Sequence, residues 1–302
     1  MRLIKLATVG VISALAGSLA VMAPTVIAQE HGAAAEGEHA AGGHHLKEPA
    51  GGWSFEGPFG DHDRGALQRG YKVYKEVCAS CHGMKLLSFR NLGQKGGPFY
   101  DEQYPNPNDN PAVKKIAAEY LIPEMDQDTG DMNDVPRTPK DAFPSPYANV
   151  GAARGSNGGA IPPDLSVITK ARHGGASYVY SLLTGFVEPP QGLTVNPGQH
   201  YNAYFSGGDT KPNWTGDPRN APPGGFLAMS PPLITDGQVE YEDGTEATID
   251  QMAQDVATFL DWAGDPKAGA RKQLGFSVLA YLILAAIVVY ASYRHIWRKV
   301  EH

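Results

Sequence analysis

Cys78 and Cys81 are the only cysteines in a chain of 302 residues, and His82 follows the second of them directly. Two thiols three positions apart with an imidazole next in line form the Cys-x-x-Cys-His pattern that attaches a c-type haem. Each thiol can make a thioether to one vinyl group of the macrocycle, and the His82 ring then falls where it can bind the iron axially. A dithiol redox pair would call for a thioredoxin-like βαβ pattern, which the flanking sequence lacks. A zinc site would need two further soft ligands, and both would have to be histidines. The motif therefore points to one covalently bound haem c and to electron transfer.

An iron held by His82 leaves its opposite position to be filled. A methionine thioether there raises the potential and closes the iron to outside ligands. Of the seven methionines, Met1 and Met22 belong to the N-terminal apolar stretch. Met84 is two residues from His82 and on its side of the ring. Met252 falls on the apolar face of a predicted helix, and Met125 and Met132 lie in an acidic stretch. Met229 sits in Phe226-Leu-Ala-Met-Ser-Pro-Pro-Leu233, where two prolines fix φ and stiffen the segment. Met229 is thus the leading sixth ligand; the competing reading is a core methionine that fills space beside the haem.

Two helices are expected to position these groups. The first runs from Asp63, a fitting N-cap, to Cys78. Ala66, Leu67, Gly70, Tyr74 and Val77 share one face at helical spacing, and Gly70 leaves room for another helix to cross closely. The second covers Ile249 to Ala263, with Thr248 and Gln251 spaced as a capping box and Gly264 and Pro266 ending it. Between them the chain is loop-rich. The acidic stretch 101–141 reads as a solvated loop around one short helix, Pro111 to Tyr120, or as a docking patch. The stretch 191–225 reads as an ordered excursion, because Tyr201, Tyr204, Phe205 and Trp214 would be costly left in water.

The ends of the chain place it at a membrane. Residues 1–28 have the basic start, apolar run and small residues of a cleaved signal. Residues 29–52 are rich in Ala, Gly, Glu and His and read as a disordered leader. An exported haem domain follows over 53–266. Residues 267–293 form a linker and transmembrane helix, whose 19 uncharged residues from Gly275 to Tyr293 can span a bilayer. The tail, 294–302, would lie in the cytoplasm. The formal charge is −7. Setting aside Arg2 and Lys5, and a tail with three basic and one acidic residue, leaves −11 for residues 29–293. An acidic exported surface favours a basic partner and disfavours nucleic acid.

Several segments together resemble cytochrome c1, the haem subunit of the bc1 complex. They are Val77-Cys-Ala-Ser-Cys-His-Gly-Met84, Gly159-Ala-Ile-Pro-Pro-Asp-Leu-Ser166, Lys170-Ala-Arg-His-Gly-Gly175, Tyr178-Val-Tyr-Ser-Leu-Leu-Thr-Gly-Phe186, Ala228-Met-Ser-Pro-Pro-Leu233 and Tyr241-Glu-Asp-Gly-Thr245. The resemblance implies a mainly α fold: a class I cytochrome c-like haem domain with long loop insertions, plus one C-terminal transmembrane helix. It implies thioethers at Cys78 and Cys81, axial bonds from His82 and Met229, and Arg172 and Tyr178 near a haem propionate. Pro162 and Pro163 would wall the pocket. The 191–225 stretch departs from the family in carrying no cysteine pair to brace it.

The function this implies is a carrier without its own substrate site. It would take electrons from a Rieske iron–sulfur protein and pass them to a soluble or membrane-tethered cytochrome c, beside cytochrome b, as a subunit of the quinol:cytochrome c oxidoreductase. The haem domain would face the periplasm from a bacterial inner membrane, anchored in the lipid bilayer by one helix. The alternative is a stand-alone anchored class I cytochrome c donating to a terminal oxidase. A haem enzyme with open coordination is the third reading, and a closed Met/His iron argues against it.

Overall fold

Asp63 starts the first helix. The computed structural model describes residues 45–299; the expected signal, the leader before His45 and residues 300–302 lie outside them. Helix α1 spans Arg64–Glu76, and the Asp63 carboxylate accepts from the Ala66 amide at 2.8 Å. That bond satisfies one of the amides a helix start leaves orphaned. The helix ends at Glu76, two residues earlier than expected, and a short 3-10 turn over Cys78–Ser80 takes over. Helices α2, Phe89–Leu92, and α3, Pro111–Ala118, come next, the latter capped by Asn110 with Pro111 at its first position.

Strands β1, Leu121–Met125, and β2, Met132–Pro136, form an antiparallel hairpin in register Met125↔Met132. This hairpin corrects the expectation of an acidic loop around a single helix. Its strands carry Pro123, Glu124, Asn133 and Asp134 and expose both faces, so no alternation marks them. Helices α4, Val150–Ser156, and α5, Gly175–Leu183, follow. Strands β3, His200–Asn202, and β4, Gly225–Leu227, pair antiparallel, the first within the 191–225 excursion and the second at its close. That excursion is ordered, as expected: Tyr201 is buried and its hydroxyl donates to the Pro223 carbonyl at 2.6 Å. Asn202, fully buried, donates to the Leu182 carbonyl at 2.8 Å.

Helix α6 covers Ile249–Gly264, and the Thr248 hydroxyl accepts from the Gln251 amide at 3.1 Å. The Gln251 side chain turns to Asp255 rather than back to the cap. Helices α1 and α6 cross at Gly70, as its missing side chain foretold. A Cβ there would lie 2.1 Å from the Asp255 carbonyl oxygen and 2.7 Å from Phe259 Cβ. The core at this crossing holds Val73, Tyr74, Val256, Phe259 and Trp262. One ion pair is sealed into it. Arg69 Nε and Nη2 reach the fully buried Asp255 carboxylate at 2.8 and 3.0 Å, and Arg69 Nη1 reaches Asp243 at 2.7 Å. Helix α5 also packs on α6, where the Tyr180 hydroxyl donates to Asp250 at 2.5 Å. The fold is mainly α, as the sequence implies.

The last helix, α7, runs over Ala268–Trp297, and no residue of it is buried. Its 30 residues extend about 45 Å, more than the ~30 Å of a bilayer's hydrocarbon core. Among the described residues it is the one helix long and apolar enough to cross a membrane. Its first turns are tied to the segment that precedes α1. Lys272 Nζ donates to the carbonyls of Phe55 and Gly60 at 2.6 and 3.0 Å, and Phe59 stacks on Phe276 at 4.6 Å.

Candidate haem site

Helix α1 delivers the Cys-x-x-Cys-His residues on a single tight turn. The amides of Cys81 and His82 both donate to the Cys78 carbonyl, at 3.1 and 2.9 Å. Both thiols are free and partly exposed at their residues. Burial of its sulfur, and then the neighbouring Cys81, push the Cys78 thiol up to about 12. That setting disfavours a free thiolate, and with it the dithiol reading.

His82 is held from two sides. Its Nδ1 lies 2.8 Å from the carbonyl oxygen of Pro163, and its own carbonyl accepts from the Tyr74 hydroxyl at 3.3 Å. With Nδ1–H donating to Pro163, the lone pair sits on Nε2, where a metal can use it. Burial lowers the imidazole pKa, opposed by the Pro163 bond and the charge of Asp164, so the ring favours the neutral, ligating form.

The carbonyl of Pro163 is positioned by the residues after it. The Asp164 carboxylate accepts from the amides of Lys85 and Ser166, both at 3.0 Å, and from the Ser166 hydroxyl at 2.5 Å. Ser166 Oγ in turn accepts from the Leu86 amide at 3.0 Å, and the Leu165 amide donates to the Gly83 carbonyl at 2.8 Å. Segment 163–166 is therefore laced along segment 82–86. Sequence reasoning assigned Pro163 a wall; the structure shows its carbonyl orienting His82. Asp164 and Ser166 stood in the Pro-Pro-Asp-Leu-Ser motif, but their orienting role left no mark beyond the motif itself.

The five methionines of the described residues sort by environment. Met84 and Met252 are fully buried in the core, and Met125 and Met132 are 54% and 60% exposed on the hairpin. Met229 alone is partly buried, two residues past β4 and just ahead of Pro231 and Pro232. A thioether there is neither consumed by core packing nor given to solvent.

Arg172 and Tyr178 flank the start of α5. The Arg172 carbonyl accepts from the Gly175 amide at 3.1 Å, while its exposed guanidinium donates to the Ala171 carbonyl at 2.9 Å. Among the described residues no carboxylate pairs that guanidinium. The Tyr178 ring is buried, and its hydroxyl has no hydrogen-bond partner among the described residues. A guanidinium without a carboxylate partner and an unpaired phenol suit an added carboxylate. The donor set thus fits a haem: two thiols and a neutral imidazole on one turn, a half-buried thioether, and two donors that could meet propionates.

Comparison with known proteins agrees. The Cytochrome C1 family matches residues 53–300. The chain is 42% identical over 266 residues to a cytochrome c1 of Rhodospirillum rubrum, covering 83% of this chain and 87% of that one. A mitochondrial cytochrome c1 heme protein of Arabidopsis thaliana is 42% identical over 253 residues, 84% of this chain and 73% of its own length. A cytochrome b/c1 of Bradyrhizobium diazoefficiens is 44% identical over 270 residues, 83% of this chain but 36% of that longer protein. A Cys-x-x-Cys-His turn at the end of α1, a helix pair closed at Gly70 and a match along nearly the whole described body place this chain in the cytochrome c1 family.

Proposed function

We propose that this chain is the membrane-anchored haem subunit of a bacterial bc1 complex. It accepts electrons from a Rieske iron–sulfur protein beside cytochrome b and passes them to a cytochrome c. The observation that carries the reading is His82, set in its metal-binding tautomer by Pro163 at the end of the Cys-x-x-Cys turn.

In this reading Cys78 and Cys81 hold one haem c covalently. His82, through Nε2, and Met229, through its sulfur, would hold the iron. Bound there, the haem supplies reversible one-electron transfer. The chain's own residues set its terms. Pro163 keeps His82 neutral and oriented, and Arg172 and Tyr178 meet propionate charge. Lys272 and Phe59 fasten the domain to α7, which crosses the bilayer with its C-terminal end in the cytoplasm and the haem domain in the periplasm. The chain itself performs no bond chemistry.

Purification from membranes in mild detergent, with haem spectra and subunit identification, tests this. One c-type haem on this chain, co-purifying with a b-type cytochrome and an iron–sulfur protein, is the expected result. A chain that purifies alone with its haem would favour the stand-alone carrier instead.

A further inference from the structure

Three residues beyond Met229 the backbone makes an unusual contact. The carbonyl of Pro232 and the amide of Ile234 flank Leu233, whose side chain is buried. One side chain meets both. Gln238 Nε2 donates to the Pro232 carbonyl at 2.9 Å, and Gln238 Oε1 accepts from the Ile234 amide at 2.9 Å. A carboxamide carries donor and acceptor side by side, so it can pair with extended backbone as a neighbouring strand would. Among the described residues these are the only hydrogen bonds made to the backbone between Ser230 and Ile234. Pro231 and Pro232 have no amide hydrogen to offer. The strap that follows Met229 therefore depends on Gln238 for its polar fastening.

Gln238 is itself firmly placed. The Gly237 amide donates to the Ala247 carbonyl at 2.8 Å, and Val239 is fully buried. The Asp236 carboxylate accepts from the amide of Ile249, the first residue of α6, at 2.7 Å. Helix α6 crosses α1 at Gly70, and α1 runs into the turn that bears His82. The strap after Met229 and the turn with His82 are thus both referenced to one helix pair.

We propose that Gln238 is the positioning residue for Met229, its carboxamide holding the strap that presents the thioether to the haem iron. The proposal rests on Met229 being the sixth ligand. Without the clamp the sulfur leaves the iron more often, and an outside ligand competes better for the vacated position.

The test uses the membrane complex carrying Gln238→Met, which keeps the shape and loses both bonds, and Gln238→Glu, which keeps an acceptor for Ile234 and loses the donor to Pro232. Two readouts follow the iron–sulfur bond: the methionine-to-iron charge-transfer absorption of the oxidised protein, and titration with imidazole. Gln238→Met is expected to raise imidazole affinity about ten-fold, the scale set by two lost hydrogen bonds, with haem content unchanged. Gln238→Glu is expected to raise it about three-fold, the scale of one lost bond. Unchanged imidazole affinity in Gln238→Met, beside a Met229→Leu variant that has lost the charge-transfer band, overturns the proposal and leaves the ligand reading intact. A Met229→Leu variant that keeps the band overturns the ligand reading itself. If Gln238→Met does not accumulate, Gln238→Glu decides alone, and parental affinity in it overturns the proposal.

Discussion

Pro163 accepts a hydrogen bond from Nδ1 of His82 at 2.8 Å, across 81 residues of chain. The contact fixes the tautomer of the one imidazole in the attachment motif, and a carbonyl partner makes the opposite nitrogen a better donor to metal. A backbone carbonyl cannot be mutated away, but its support can. Asp164→Ala removes the acceptor that laces segment 163–166 to segment 82–86. The expected cost is about 2 kcal/mol, with a raised reduction potential, because a His82 less firmly hydrogen-bonded to Pro163 is a weaker donor to oxidised iron. Denaturant titration and potentiometry on the same sample check both, and an unmoved potential would show that Asp164 serves stability alone.

Gly70 admits no side chain. Gly70→Ala drives a methyl into the Asp255 carbonyl and Phe259, so α1 and α6 must separate. Overpacking of this kind costs about 3 kcal/mol, and haem content per chain should fall with it. Near-parental thermal unfolding of the alanine variant would refute the close crossing.

Arg69 compensates a carboxylate that has no access to water. Burial raises the Asp255 pKa, and the Arg69 hydrogen bond opposes it. Arg69→Met leaves that charge uncompensated, at a cost of about 3–5 kcal/mol. The double variant Arg69→Met with Asp255→Leu should recover most of the loss, because a buried ion pair replaced by apolar groups is often neutral. A double-variant cycle in denaturant decides it; additive losses would contradict a direct pairing.

Asp243 contributes to the loss of stability in acid. The Thr245 amide, and after it the Arg69 side chain, hold its carboxyl at about 2, below the usual carboxylate range. A carboxyl depressed in the folded state adds stability above its unfolded pKa and loses it as pH falls through the folded one. The contribution is therefore complete above about pH 4 and lost on the way to pH 2. Unfolding of Asp243→Asn should be flatter than that of the parent across this window, and identical slopes would remove Asp243 from the account.

The β1–β2 hairpin carries Glu124, Asp126, Asp128, Asp131 and Asp134 and no basic residue. Electron transfer to a basic cytochrome c should fall several-fold as ionic strength rises through the range where surface charges are screened. Stopped-flow rates against salt measure it, and a flat profile would discard electrostatic steering.

Helices α1, α3, α6 and α7 were legible because their signals are local, whereas the shorter α2, α4 and α5 were not. Asp63 and Thr248 cap where capping residues should, apolar positions recur at helical spacing, and Gly70 marks the crossing by what it lacks. The Cys-x-x-Cys-His motif is plain from residue identity alone, and the structure folds it as one tight turn. The hairpin was not, since both its faces are wet and its strands carry proline and charge. Nor was the support of the site. The Pro163 carbonyl acts through backbone, which any residue supplies, and Gln238 acts on backbone four and six residues before it in an irregular strap. Side-chain bonds to loop backbone follow no period, so only the fold displays them.

The joint between the haem domain and α7 has a mechanical meaning. Lys272 grips two carbonyls of segment 55–60, and Phe59 lies flat on Phe276. Only three residues, 265–267, separate α6 from α7, so the domain is seated on the start of α7 rather than hung from a long tether. In the function proposed above, this joint would set the height of the haem over the bilayer, and any shuttling between donor and acceptor would fall to the partners.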